Sequence, residues 1–185
     1  MKIKKVFIVL SASLLIFSCA IQGNGAKKIE KKEVNALRNN SGDLIGLANQ
    51  NSLMQVPYSI WFNKGYDTYL VDPIITEELK KHLKGLTIKV FMGTWCIDSK
   101  RETPRFYKIA SEVGFEKNIE LTTVDRSKKT PNNLQEGYNI LKVPTFIFFR
   151  EGKEIGRFVE YPRETIEKDI LKILSDQDYK HSYEK

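Results

Sequence analysis

Gly93-Thr94-Trp95-Cys96-Ile97-Asp98-Ser99-Lys100 joins two stretches of different period, and this junction decides how the chain folds. Before it, Thr87 to Gly93 is a short run rich in β-formers, read as a strand. After it, Ile97 to Val113 reads as a helix, with Phe106, Ile109, Ala110 and Val113 spaced along one buried stripe. A cysteine therefore stands at a strand-to-helix turn, facing unpaired helical N–H groups and the positive end of the dipole. Both favour thiolate over thiol, and the thiolate is the nucleophile. Ser99, one helical turn on, is spaced to aim its hydroxyl at that sulfur. Lys100 and Arg101 add positive potential and Asp98 opposes them.

Further along, Ile119 to Val124 is a second strand and Pro131 to Tyr138 suits a short helix. Thr145 to Phe149 is apolar throughout, as a central strand should be. Glu151-Gly152 supplies a hairpin turn into a strand from Glu154 to Val159. Pro162 precedes a last helix with Ile166, Ile170, Leu171 and Leu174 on one face, and a polar tail, 176–185, is expected to be loose. The order β-α-β-α-β-β-α predicts an α/β fold, a mixed sheet with helices on both faces. Upstream, residues 44–86 read as an extension packing on this 87–175 domain, with Trp61, Phe62, Tyr66 and Tyr69 as packing residues. Asp72-Pro73 opens a helix there, with Thr76 as the expected cap before Glu77.

The N-terminus has a different character. Lys2, Lys4 and Lys5 precede an apolar run from Val6 to Phe17, a secretory n-region and h-region too short for a durable membrane span. Small Ser18 just before Cys19 resembles a bacterial lipobox, though Phe17 is bulkier than that pattern prefers. Cleavage after residue 18 would leave Cys19 acylated, with 19–43 as a polar, lysine-rich tether, partly helical from Lys28 to Leu37. The formal charge of +7 then falls to a mild, dispersed basic excess that gives no footprint for nucleic acid. The chain has 2 cysteines, and committing Cys19 to lipid leaves Cys96 without a disulfide partner. With 2 histidines and one free thiol, a His/Cys metal site cannot be assembled, and no cofactor is expected.

Three separated features now coincide. Trp95-Cys96-x-x-Ser99-Lys100 is similar to the Trp-Cys-x-x-Cys site of thioredoxins, with serine at the second cysteine. Pro104 falls where that family carries a proline in its active-site helix. Tyr138-Asn139-Ile140-Leu141-Lys142-Val143-Pro144-Thr145 resembles the stretch before the family's cis-proline. Over Leu86 to Leu174 the chain resembles a thioredoxin-family lipoprotein with a Trp-Cys-x-Asp-Ser monothiol site. The resemblance implies a cis Pro144 that turns the Val143 backbone towards Cys96, where an extended substrate strand could pair with it. It implies Cys96 and Ser99 as the reacting pair, with Trp95, Val143, Pro144 and Thr145 as the substrate contacts.

Two departures limit the chemistry. Ser99 cannot resolve a mixed disulfide, and Val90 stands where thioredoxins often bury a carboxylate. The expected function is monothiol exchange on protein or small-thiol disulfides, by isomerisation or removal of S-linked thiols, lipid-anchored in the cell envelope at the outer membrane and facing the periplasm. A non-catalytic binding module on the same fold, with Cys96 a relic, is the alternative. Peroxide reduction fits poorly, because the run before Cys96 lacks the Pro-x-x-x-Thr/Ser-x-x-Cys pattern.

Overall fold

The computed structural model describes residues 34–185. The signal segment, Cys19 and most of the expected tether lie outside the described residues. Six strands form one sheet: β1 (Leu37–Arg38), β2 (Leu44–Ala48), β3 (Leu86–Met92), β4 (Ile119–Thr123), β5 (Thr145–Arg150) and β6 (Lys153–Val159). Five α-helices accompany them: α1 (Gln50–Leu53), α2 (Ser59–Thr68), α3 (Pro73–Leu79), α4 (Ile97–Val113) and α5 (Ile166–Leu174).

The sheet order is β1-β2-β4-β3-β5-β6. β3 and β4 run parallel, as a strand-helix-strand crossover through α4 requires, and every other pairing is antiparallel. β3 sits between β4 and β5, with Val90 opposite Leu121 on one side and Phe146 on the other. β5, between β3 and β6, is buried from Thr145 to Phe148 and reads as a near-continuous apolar run, whereas β3 alternates at Thr87 and Lys89 before it is wholly buried from Val90. The expected α/β mixed sheet flanked by helices is the architecture found.

α4 begins at Ile97 with Cys96 as its cap residue and ends at Gly114, whose φ of 92° suits the left-handed stop. Its stripe of Phe106, Ile109, Ala110 and Val113 is buried. Phe106 stacks on Phe146 at 4.4 Å and stands 5.7 Å from Phe115, at the centre of the main core. α2 lies against α4 at Gly65. A Cβ there would come within 2.6 Å of the Pro104 ring, so the glycine allows the close approach.

Residues 44–86 do more than cover the domain. β2 enters the sheet beside β4, Phe62 of α2 is fully buried, and Tyr58, Leu53 and Leu79 join the main core. Trp61, Tyr66 and Tyr69 pack partly buried against that core. Leu37, expected at the end of a helical stretch, belongs to β1.

Four expectations change in the folded chain. Asp72, not Thr76, caps α3: its carboxylate accepts from the N–H groups of Ile74 and Ile75, while Thr76 lies inside the helix and donates to the Pro73 carbonyl. Residues 131–138 form turns rather than a helix. The Thr130 hydroxyl accepts from Leu134 N–H at 2.8 Å, and Asn133 takes a positive φ of 50°, so side-chain bonds and left-handed backbone replace the helical ladder. On α5 the buried partner of Ile166, Ile170 and Leu174 is Ile173, with Leu171 at the margin.

The fourth is the tail, which is tied down. Tyr179 donates to Asp169, and the Arg163 guanidinium donates to the carbonyls of Lys180, His181 and Glu184. Tyr183 donates to Glu160, and its ring lies 4.2 Å from the Lys142 ammonium. Sequence pattern misses this because the tail buries no periodic apolar face; it is held by single polar anchors.

Candidate functional site

A second, smaller core of Phe91, Val124, Val143 and Ile147 underlies one end of the sheet, and Trp95 and Cys96 pack on it. The backbone at this junction is stapled locally. Cys96 N–H donates to Gly93 O at 3.0 Å, and Lys100 N–H donates to Cys96 O at 3.0 Å, opening the helix. Cys96 itself has extended backbone angles (φ −84°, ψ 131°) and offers no side-chain cap, so its sulfur is left to other partners. Thr94 is buried and its hydroxyl accepts from Leu44 N–H at 3.0 Å, tying β2 to the turn.

The sulfur's partner lies 47 residues away. Cys96 Sγ donates to the Val143 carbonyl at 3.1 Å, across to the loop where the Val143–Pro144 bond is cis. Cys96 is partly exposed, whereas Val143 and Pro144 are buried. The thiol and the prolyl loop are therefore in direct contact, as the resemblance implied. Such a weak S–H bond is readily given up when the sulfur reacts.

Ser99 is differently placed. It is 0% exposed, and its hydroxyl accepts from Gly93 N–H at 3.2 Å, so its contact is with the turn's backbone and not with the sulfur. The expected hydrogen bond to Cys96 is absent among the described residues; the physical reason is the buried Gly93 N–H, which needs an acceptor. Ser99 thus positions the turn that carries the cysteine. Trp95 donates its indole N–H to Val124 O at 2.9 Å and packs against Gly93, where a Cβ would meet the ring at 2.5 Å. Thr145 is buried and donates its hydroxyl to Lys142 O at 2.7 Å, shaping the loop from within rather than facing outward.

Charges around the site sort into paired and unpaired. Arg101 bonds Asp98 at 2.7 Å and also Glu102, and Arg105 adds a contact to Glu102 at 3.4 Å while lying over the Tyr69 ring. Those two arginines are structural. Glu102 is 1% exposed, and its Oε2 has no hydrogen-bond partner. Val90 is wholly buried in the apolar core, so β3 offers no buried acid at that position, and the one on the site's own helix is Glu102. Tyr69 is pushed well above its usual range by burial and then by its bond to Glu167. Arg126, by contrast, is exposed and stands 5.4 Å over the Trp95 ring.

Sequence reasoning missed Thr94, Glu102 and Arg126. Glu102 carried a legible sign, an acid three residues from Ser99 on the inner side of the helix. Arg126 carried none, because its place depends on β4 lying beside β3. Beyond Val143, a cavity of about 160 Å³ opens between the prolyl loop and the tail, lined by Leu141, Lys142, Thr145, Val159, His181 and Tyr183. No group of acids, histidines and cysteines suited to a metal occurs among the described residues. No helix among them is long and apolar enough to cross a membrane.

Comparison with known proteins gives a consistent picture. A family model described as thioredoxin matches residues 51–174. A thioredoxin-like protein, R548, of Acanthamoeba polyphaga mimivirus is 33% identical over 88 residues, 48% of this chain and 62% of that protein. Thioredoxin of Mycobacterium tuberculosis is 30% identical over 69 residues, 37% of this chain and 56% of that one. The chain thus spans less than two thirds of the length of these relatives. A protein of unknown function from Pseudomonas aeruginosa, PA1234, superposes with a TM-score of 0.51 over 71% of this chain and 92% of its own, at 16% identity. That last likeness concerns the fold alone.

Proposed function

Because this chain belongs to the thioredoxin family, we propose that it carries out thiol–disulfide exchange through Cys96 alone, as a membrane-anchored monothiol protein. The observation that carries this reading is the partly exposed Cys96 sulfur, 3.1 Å from the Val143 carbonyl beside a cis prolyl bond. Ser99 occupies the place of a second thiol, sealed from solvent.

The chemistry follows from those atoms. Cys96 loses its proton to solvent as its bond to Val143 O opens, and the thiolate attacks one sulfur of a disulfide R–S–S–R′. A Cys96–S–S–R bond forms, and R′S⁻ leaves and takes up a proton. A second thiol, R″SH, then attacks as its thiolate, regenerating Cys96 and giving R–S–S–R″. Ser99 has no sulfur with which to expel the adduct, so the mixed disulfide persists until R″SH arrives. An extended substrate strand pairing with Val143 takes the place of the S–H bond. The reaction class is isomerisation or removal of S-linked thiols, on protein or small-thiol disulfides.

The anchor is part of the same proposal. Lys2, Lys4, Lys5 and the Val6–Phe17 run support export, and Ser18-Cys19 supports acylation at Cys19. The mature protein would hang in the envelope, at the outer membrane and facing the periplasm, by one lipidated end.

Trapping tests the exchange reading. Cells are quenched with an alkylating agent and Cys96-linked species are isolated from wild type and from Cys96→Ala. Adducts present in wild type and absent in the variant are expected; none in either would end the redox reading. The engagement of the thiol by Val143 O favours one rival, a binding module that uses the prolyl loop without chemistry. Client binding that survives Cys96→Ala at full strength would favour that rival. Radiolabelled fatty acid entering wild type but not Cys19→Ala checks the anchor.

A further inference from the structure

We infer that the thiol exchanged at Cys96 carries a carboxylate close to its sulfur, held by Arg126 over the Trp95 ring. This rests on the exchange reading and specifies its substrate class.

Charge beside the sulfur is unbalanced at a fixed place. Val124 accepts the Trp95 indole N–H, and Arg126, two residues on, crosses back over that indole at 5.4 Å. The stacked guanidinium is held at the rim of the sulfur's own packing cluster, which Trp95, Cys96, Val124 and Val143 share. No acidic side chain pairs with Arg126, Lys128 or Lys129 among the described residues. Asp125, the acid in that loop, spends an oxygen on Lys129 N–H at 2.8 Å. Asp98, in the first turn after the cysteine, is neutralised by Arg101 at 2.7 Å.

Across the sulfur, Lys142 precedes Val143, whose carbonyl receives the thiol. The Lys142 ammonium is taken up on the tail side of the loop, where Glu160 meets it at 3.5 Å and the Tyr183 ring at 4.2 Å. Among the described residues Arg126 is therefore an unpaired cation beside the site, over the ring of the residue before Cys96, while Asp98 and Asp125 are occupied. A guanidinium fork on a rigid indole suits a carboxylate, whose two oxygens it can take together. An incoming R–S–S–R′ with carboxylates near its sulfurs is steered to Cys96, and a cationic one is repelled. The exposed side chains Ile97 and Leu141 leave room for the carbon skeleton between.

Matched reagents test this on the full chain. Dithiodipropionate (anionic) and cystamine (cationic) are each offered at low salt, and the Cys96 adduct is followed by intact mass. Every rate is normalised to alkylation of Cys96 by neutral iodoacetamide. We expect dithiodipropionate to react about 10-fold faster than cystamine, with the preference shrinking at high salt. Arg126→Glu should reverse or abolish it, and Arg126→Gln should lower it about 3-fold, whereas Lys142→Gln should leave it nearly unchanged. Equal rates, or a preference unmoved by Arg126→Glu, would overturn the inference while leaving exchange intact. Iodoacetamide labelling with no adduct from either disulfide would instead overturn the exchange reading itself.

Discussion

The two walls of the site are built by opposite means. On one side, the turn from Gly93 to Lys100 is closed by contacts a few residues apart: Cys96 to Gly93, Gly93 to Ser99, Lys100 to Cys96. On the other, the prolyl loop around Val143 is held by distant residues. Arg157 donates to Tyr138 O, Glu160 N–H to Pro144 O at 2.8 Å, and the tail's Tyr183 leans on Lys142. The first wall is mainly a dense local knot, tied outward by Leu44 to Thr94 and Trp95 to Val124. The second is mainly a set of separate long-range props, with one local bond from Thr145 to Lys142 O. A single atom should therefore matter more in the knot, and loss should be more graded among the props.

The sharpest test is Gly93→Ala. The added carbon falls 2.5 Å from the Trp95 ring, so the indole must leave Val124 O or the turn must open. We expect a loss of about 3 kcal/mol in urea unfolding, with a changed tryptophan emission. Ser99→Ala comes next. It leaves the buried Gly93 N–H without its acceptor, at a cost of about 2 kcal/mol. A loss under about 0.5 kcal/mol in either variant would show that the knot is not what holds this wall.

The props are tested by removing residues 177–185. Asp169 loses the Tyr179 hydroxyl but keeps the Arg163 N–H, so we expect roughly 1–2 kcal/mol, with hydrogen exchange rising at 138–145. Protection unchanged in that loop would separate the tail from the site. Tyr183→Phe keeps the ring over Lys142 and drops only the bond to Glu160. A few tenths of a kcal/mol is expected for so exposed a pair.

The smallest effect is one of pH. Burial holds His181 below its usual 6.5, and Arg157 and Arg163 act in the same direction while Glu184 opposes them. The folded tail thus binds fewer protons than the free one, so its docking weakens as pH falls below about 6.5 and levels off beneath the folded value. Protection factors at 179–184, corrected for the intrinsic slowing of exchange in acid, should fall between pH 7 and 5, and His181→Gln should flatten that change.

How much of this was legible follows the same division. The strand into Cys96, the helix out of it and the stripe through Phe106 could be read because each is a short-range periodic pattern. The cysteine's place at the helix start came with them. Ser99 was legible as a residue but not in its contact, because the Gly93 N–H that claims it is a backbone group common to every sequence. The turns at 131–138 were misread as helix, since side-chain bonds from Thr130 leave no periodic trace. Arg126 over Trp95 was invisible, because it needs two strands side by side.

By itself, then, the sequence determined the strands from Thr87 onward, the helices after Cys96 and Thr165, the thiol at the first junction and the proline before β5, all of them properties of neighbours along the chain. Only the tertiary structure decided that the Cys96 sulfur meets the Val143 carbonyl, that Ser99 serves the backbone, and that the tail braces the prolyl loop. Those contacts join residues far apart in the chain, and which of them form is settled by how the whole sheet packs.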